Sequence, residues 1–283
     1  MAYDTLISVT DLHEILAAGS DVLILDCDFE LGQPDKGRES YRAGHLPGAR
    51  YAHLDDDLAG PPDGTNGRHP LPARVAFAAW LRAQGLKRGG QVVACDSSGG
   101  AWAARAWWLL RWIGHAEVAV LDGGKQAWAA AGLPMETGEA PPVVPGDFTA
   151  DEPLVPAPLT ARQVLANIGT GEAQVLDARD PSRFRGDPNP IDPVAGHIPG
   201  ARNRFFKDNL GEDGSFRPAE ELSQAFRALL GGKPAVLSCG SGVTACHNAL
   251  AMAAAGLPQP QLYPGSWSEW IADPARPVAT GDA

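Results

Sequence analysis

The sequence predicts an α/β protein built from two tandem copies of one unit, each a mostly parallel sheet flanked by helices on both faces. Three observations lead there. Short, continuously apolar runs alternate with longer amphipathic stretches, as expected when strands are buried on both sides. Each run ends close to Asp, Cys or Gly, where a strand would hand over to a turn. The two halves also repeat each other: LILDCD at 23–28 matches QVLDAR at 174–179, GHLPGAR at 44–50 matches GHIPGAR at 196–202, and VVACD at 92–96 matches VLSC at 236–239. A fourth match pairs the Gly/Trp segments ending at Trp128 and Trp270.

Taken in chain order, Val22 to Asp26, Val92 to Asp96 and Val118 to Asp122 read as buried strands of the first copy. Gln174 to Asp177 and Ala235 to Cys239 read as strands of the second. Helices are expected over 11–18, 73–84, 101–112, 160–168, 219–230 and 244–255, from apolar residues recurring at helical spacing. Thr160 with Gln163 has the spacing of a capping box and marks the start of one of them. The offset between copies falls from 151 at the first motif to 142 at the last, which places a longer middle loop in the first copy, around Asp55 to Pro72. Proline-rich residues 141–158 read as a semi-extended linker between an N-terminal domain at 1–140 and a C-terminal domain at 159–283.

Length and composition set outer limits. The 283 residues suffice for two domains with a core each, and 44% hydrophobic with 20% charged residues is ordinary for a soluble globular chain. The N-terminus, MAYDTLISVTDLHE, carries acids where a secretory signal has bases and lacks an apolar core segment, so a cytoplasmic protein is expected. Net charge is −11, with −9 in residues 1–158 and −2 in residues 159–283. That balance disfavours nucleic acid and anionic membrane as partners, since both demand Lys and Arg against phosphate. Cys27, Cys95, Cys239 and Cys246 show no CxxC pair or His/Cys spacing of a zinc site and are too few for a disulfide scaffold. No metal, nucleotide or flavin is implied.

CGSGVTA at 239–245 is the stretch that carries chemistry. Cys239 stands where a strand turns into a helix. Gly240 and Gly242 let the backbone bend tightly, and the N–H groups of Gly240, Gly242, Val243 and Thr244 can then point at one centre. The next helix adds the positive end of its dipole. Such surroundings favour an anionic sulfur, the nucleophilic form. A buried inert thiol is the alternative, and it leaves the paired glycines unexplained. Thr244 reads either as a hydroxyl donor to the sulfur or as the cap of the following helix. Aligning the copies sets Asp96 opposite Cys239, so the first copy has no thiol at its equivalent turn.

This loop resembles the active-site loop of the rhodanese-like sulfurtransferases, and is more similar to the mercaptopyruvate branch than to the thiosulfate branch, whose members carry charged residues just after the cysteine. GHLPGAR, GHIPGAR, LDGGKQAW at 121–128 and YPGSWSEW at 263–270 extend the resemblance along nearly the whole chain. It implies a cytoplasmic enzyme that moves sulfur, through a persulfide on Cys239, from a small anionic donor to cyanide, a small thiol or a thioredoxin-like protein. It further implies that Arg183, in the DARDPSRFRG segment, binds the donor, and that the loop at 53–72 supplies His69 and Asp57 to a relay with Ser241. His69 as a mere shaper of a proline-rich loop is the competing reading. The mercaptopyruvate branch places a second arginine before the GHIPG turn; here Ile191 and Asp192 stand in that region, leaving thiosulfate as the alternative donor. Arg179 and Arg185 read as one structural partner to Asp177 and one solvated residue, His45 and His197 as structural, and Trp267 as either pocket or core. A cysteine-dependent phosphatase uses a similar loop but needs an arginine at its end, where this chain has Ala245. A binding module with a vestigial site is the remaining rival.

Overall fold

In the computed structural model, which describes residues 2–282, the chain divides into two compact units. The first comprises residues 1–60, 72–154 and 211–216; the second comprises 61–71, 155–210 and 217–283. Residues 61–71, which the sequence assigns to the first copy's long loop, thus belong with the second unit. Part of the expected linker is fastened to the first unit: Gly146 N–H donates to the Arg82 carbonyl at 2.8 Å, and Asp151 N–H to that of Ile113 at 2.8 Å.

The first unit runs β1 (Leu6–Ile7), α1 (Val9–Ala17), β2 (Val22–Asp26), α2 (Asp35–Ala43), β3 (Arg50–Tyr51), α3 (Arg74–Ala83), β4 (Gln91–Cys95), α4 (Ala103–Trp112), β5 (Val118–Leu121) and α5 (Gly124–Ala130). Its strands are all parallel, in the order β1-β5-β4-β2-β3. The second unit runs α6 (Ala161–Thr170), β6 (Gln174–Asp177), α7 (Pro181–Arg185), β7 (Arg202–Asn203), a 3₁₀ turn at Phe206–Asn209, α8 (Ala219–Leu230), β8 (Ala235–Ser238), α9 (Thr244–Ala254), β9 (Gln261–Leu262) and α10 (Ser266–Trp270). Its parallel order is β7-β6-β8-β9. With β2, β3, β4 and β5 matched to β6, β7, β8 and β9, the two sheets share one strand order, and β1 is the addition in the first.

The central strands follow from composition. Val92, Val93 and Ala94 in β4 and Leu237 in β8 are wholly buried, as a run apolar on both faces requires. Burying each Val or Leu contributes roughly 1.5–3 kcal/mol. At the start of α6 the Thr160 side chain accepts from Gln163 N–H while the Gln163 side chain accepts from Thr160 N–H, the expected capping box. The elements without a sequence expectation are short or polar. Four strands have only two residues, and α7 and α10 have five each, too few for any periodicity to emerge. Helix α2 buries only Gly37 and Tyr41.

The repeated GHxPGAR turns are structural in both units. His45 Nδ1 lies 2.8 Å from the Tyr41 carbonyl with its ring stacked on Tyr41, and His197 Nδ1 lies 2.7 Å from the Phe184 carbonyl with its ring stacked on Phe184. The LDGGKQAW motif has a specific use in the first unit. Lys125 Nζ sits 2.7 Å from Asp26 and 2.8 Å from Asp28, with all three side chains buried. Burial outweighs the attraction of Lys125 and pushes the Asp26 carboxyl up to about 6. Replacing Lys125 by Met leaves two buried carboxylates uncompensated, a loss of about 3–5 kcal/mol near neutral pH. Without the ammonium the neutral acid is favoured in the fold, so the variant regains stability as pH falls through the Asp26 range. Urea unfolding at neutral pH and about one to two units lower checks this; an equal deficit at both pH values contradicts it.

Candidate active site

Cys239 follows directly on β8, at the carboxyl end of a strand flanked on both sides by β6 and β9. Its side chain is 2% exposed. The turn is shaped from both ends. Gly242 adopts φ +76°, and a Cβ there would overlap the Pro264 carbonyl, so conformation and space both demand glycine. Its N–H donates to Cys239 Sγ at 3.1 Å. On the other side, the carbonyls of Cys239 and Gly240 accept from Trp267 N–H at 3.0 Å and Ser268 N–H at 2.9 Å, in the first turn of α10. Every peptide here is trans, so the N–H groups of Gly240 and Ser241 point away from α10. Val243 is buried and occupies the N-cap of α9 with no side-chain cap; Thr244 is the first helical residue, so its hydroxyl does not cap the helix.

Ser266 completes the turn and was not singled out in the sequence. Among the described non-glycine residues it alone has positive φ, +52°. Its hydroxyl accepts from Cys239 N–H at 3.0 Å, donates to the Tyr263 carbonyl at 2.9 Å and lies 4.0 Å from Cys239 Sγ. A left-handed serine costs of order 1 kcal/mol, and persists where the surroundings over-determine it. The first unit explains the choice. By the repeat, Ser266 corresponds to Gly124, which has φ +60° and needs no strain. The exchange of Gly for Ser between GGK at 123–125 and GSW at 265–267 was the available signal.

Ser241 and His69 meet as expected: Ser241 Oγ lies 2.7 Å from His69 Nδ1, both side chains buried. Asp57 belongs to the first unit, where its carboxylate accepts from His53 N–H at 2.8 Å and burial raises it above the ordinary carboxylate range. Arg183 is not an open fork. Its Nε and Nη2 each donate to Asp192 at 2.8 Å. Asp192 also reaches Arg179 at 3.3 Å, and Arg179 in turn clasps Asp177 at 2.7 Å and lies over the Trp267 ring, 4.8 Å from its centroid. Burial works against the Asp192 charge, but Arg183, Arg179 and Arg68 hold its carboxyl below the ordinary range. For Arg179 too, burial opposes the charge, and Asp177, Asp192 and Cys239 together favour it. Trp267 is fully buried, its indole N–H donating to the Val194 carbonyl at 3.0 Å. Arg185 pairs with Asp187 at 3.1 Å in an exposed position.

The first unit shows what this turn does with an anion in place. Asp96, at the position of Cys239, accepts four backbone N–H groups at 2.7–2.9 Å: Ser98 and Gly100 on one oxygen, Trp102 and Ala103 on the other. Cys27 and Cys95 are sealed in that unit, and burial pushes both thiols well up. The flanking charges differ in a paired way. Asp28 and Lys125 form an ion pair in the first unit, whereas their counterparts in the second, Arg179 and Trp267, form a cation–π contact. The buried cation beside the turn is thus Lys125 in the first unit, paired with Asp26 and Asp28, and Arg179 in the second, paired with Asp177 and Asp192.

Removing the Ser266 hydroxyl leaves Cys239 N–H buried without an acceptor, at about 1–3 kcal/mol. Ser266→Gly relieves the backbone strain and Ser266→Ala does not. The melting temperature should fall in the order wild type, Gly, Ala, with faster alkylation of Cys239 in both variants as the turn loosens. An Ala variant as stable as wild type would refute this role.

The rhodanese-like domain family matches residues 8–131 and 160–273. A Pseudomonas aeruginosa protein named "Probable 3-mercaptopyruvate sulfurtransferase" is 52% identical, over 93% of both chains. The thiosulfate sulfurtransferase of Gallus gallus is 35% identical, over 94% of this chain and 93% of its own. The solved structure of 3-mercaptopyruvate sulfurtransferase from Leishmania major superposes with a TM-score of 0.81 at 32% identity, covering 94% of this chain and 74% of that one. The chain belongs to the rhodanese family, as two tandem domains of which only the second carries a cysteine at the turn after its central strand.

Proposed function

We propose that the chain is a sulfurtransferase that carries sulfur as a persulfide on Cys239, with 3-mercaptopyruvate as preferred donor. The observation that carries this reading is the Gly242 N–H aimed at Cys239 Sγ, 3.1 Å away, in a turn whose counterpart already holds a carboxylate on four amides. A site built for an anion at that point suits both the attacking thiolate and the persulfide that replaces it.

In the first half-reaction the Cys239 thiolate attacks the donor's sulfur. The new S–S bond forms as the donor's C–S bond breaks; the electron pair of that bond leaves with carbon as the enolate of pyruvate, and the thiol proton ends on the released pyruvate. With thiosulfate the same attack breaks its S–S bond and releases sulfite. In the second half-reaction an acceptor thiolate or cyanide takes the outer sulfur and restores the thiolate. Ser241 and His69, hydrogen-bonded to each other, relay the proton. Gly240, Val243 and Thr244 supply further backbone N–H groups to the bound sulfur, and Arg183 faces the donor's anionic end. A thioredoxin-like protein fits the acceptor's role. Among the described residues no helix is long and apolar enough to cross a membrane, and we place the protein in the cytoplasm.

Thiosulfate is the second reading, favoured by one feature: Asp192 occupies two donors of Arg183, which then has fewer left for a carboxylate. Exposing the protein to each donor and weighing it tests the whole proposal. Wild type should gain one sulfur atom, on Cys239, and Cys239→Ser none; absence of any adduct leaves the binding-module reading. kcat/KM should be higher for mercaptopyruvate, and Arg183→Ala should reduce it more with mercaptopyruvate than with thiosulfate. The reverse order assigns thiosulfate.

A further inference from the structure

The first unit carries a cavity of its own at the carboxyl end of its sheet. The chain there runs from β2 outward to β3 and then returns to lay β4 and β5 on the other side, so the strand order reverses between β2 and β4. Parallel sheets covered by helices take ligands at such a reversal, beyond the strand ends. In the second unit the same reversal lies between β6 and β8, where Cys239 stands. In the first, residues that follow β2 and β4 enclose, together with α2, a cavity of about 230 Å³. Sites for drug-sized ligands measure roughly 300–1,000 Å³, so its occupant is small.

The repeat pairs the polar groups of this cavity with residues of the second unit. Asp28 corresponds to Arg179, and Ser97 to Gly240. Ser40 corresponds to Arg183, because the residues that follow them, Tyr41 and Phe184, each bind and stack on the histidine of a GHxPGAR turn. A carboxylate and a hydroxyl thus stand where the second unit has cations. The polarity of the site is inverted.

Asp28 is 4% exposed. Burial opposes its charge, but Lys125, Ser40 and Ser97 hold its carboxyl below the ordinary range. Ser40 Oγ donates to it at 2.7 Å and Ser97 Oγ at 3.0 Å. With both hydroxyl protons turned to Asp28, the two oxygens offer lone pairs, and among the described residues neither accepts a hydrogen bond. Lys125 is shared between Asp26 and Asp28, so two carboxylates meet one ammonium. Such a surface calls for a cation rich in donors. Lys36 lines the same cavity and supplies the opposite charge; its Nζ lies 3.3 Å from the Glu30 carboxylate, longer than the roughly 2.7–2.9 Å of a tight charge-assisted contact. The buried Phe29 adds an apolar wall.

We infer that this cavity of the first unit binds a small α-amino acid as its zwitterion, the ammonium on the Ser40 and Ser97 hydroxyls in front of Asp28 and the carboxylate on Lys36. An ammonium has three N–H donors and no acceptor, which suits oxygens that can only accept. The inference concerns residues of the first unit alone and is independent of sulfur transfer by Cys239.

Ligand-observed NMR titration of the full chain with L-alanine tests it, beside ethylamine and propionate, which each lack one of the two charges. L-Alanine should bind saturably and about 10-fold or more tighter than either, since each forfeits a charge-assisted contact. Ser40→Arg, which carries the second unit's charge into the cavity, should abolish alanine binding. Lys36→Ala should weaken it about 10-fold and leave ethylamine unchanged. Both positions are exposed, and the melting temperature of each variant reports its folding. Should Ser40→Arg not fold, Ser97→Ala replaces it, with about 10-fold weaker alanine binding expected. No saturable binding of L-alanine, or binding that survives these changes at the serines, overturns the site. Ethylamine as tight as L-alanine overturns the part given to Lys36, and propionate as tight overturns the ammonium.

Discussion

The Cys239 sulfur faces an amide because the backbone on its other side is already bound. The carbonyls of Cys239 and Gly240 are taken by the first turn of α10, and the Cys239 N–H is taken by Ser266. With those groups satisfied, the loop can close only one way, and Gly242 N–H meets the sulfur. Gly242 pressed against the Pro264 carbonyl and Ser266 held in a left-handed conformation are the local costs of that closure. They fall at the one turn where the second unit carries a thiol.

The two units form an internal control. They share a strand order, a histidine-stacked turn and an amide-lined loop, and differ in what each loop holds. In the first unit the loop is filled by Asp96, and Lys125 lies nearby between Asp26 and Asp28. In the second, Arg179 replaces Asp28 and Trp267 replaces Lys125, so the buried cation stands at the other position, paired with Asp177 and Asp192 and lying over the Trp267 ring. One scaffold thus carries a carboxyl group at this turn in one copy and a thiol in the other. One backbone hydrogen bond of the loop is common to both: Lys125 N–H donates to the Asp96 carbonyl as Trp267 N–H donates to that of Cys239.

Much of this was legible in the chain. Buried parallel strands are apolar throughout, so β2, β4, β5, β6 and β8 stand out without alternation, and the duplicated GHxPGAR and strand motifs disclose the tandem architecture. Cys239 and the Ser241–His69 pair were accessible through glycine placement and through resemblance. The contacts of Ser266 and Asp192 were not. Ser266 matters through a backbone angle, which only comparison with Gly124 hints at. Asp192 registers in the sequence as a missing arginine, whereas in the fold it is the carboxylate joining Arg183 to Arg179.

If the turn at 239–244 holds sulfur as an anion on backbone N–H groups, a crystal structure of the protein after reaction with donor in the absence of acceptor will contain an additional sulfur bonded to Cys239 Sγ, within hydrogen-bonding distance of two or more of the 240–244 amides. An unmodified Cys239, or an outer sulfur pointing away from those amides, rules that out.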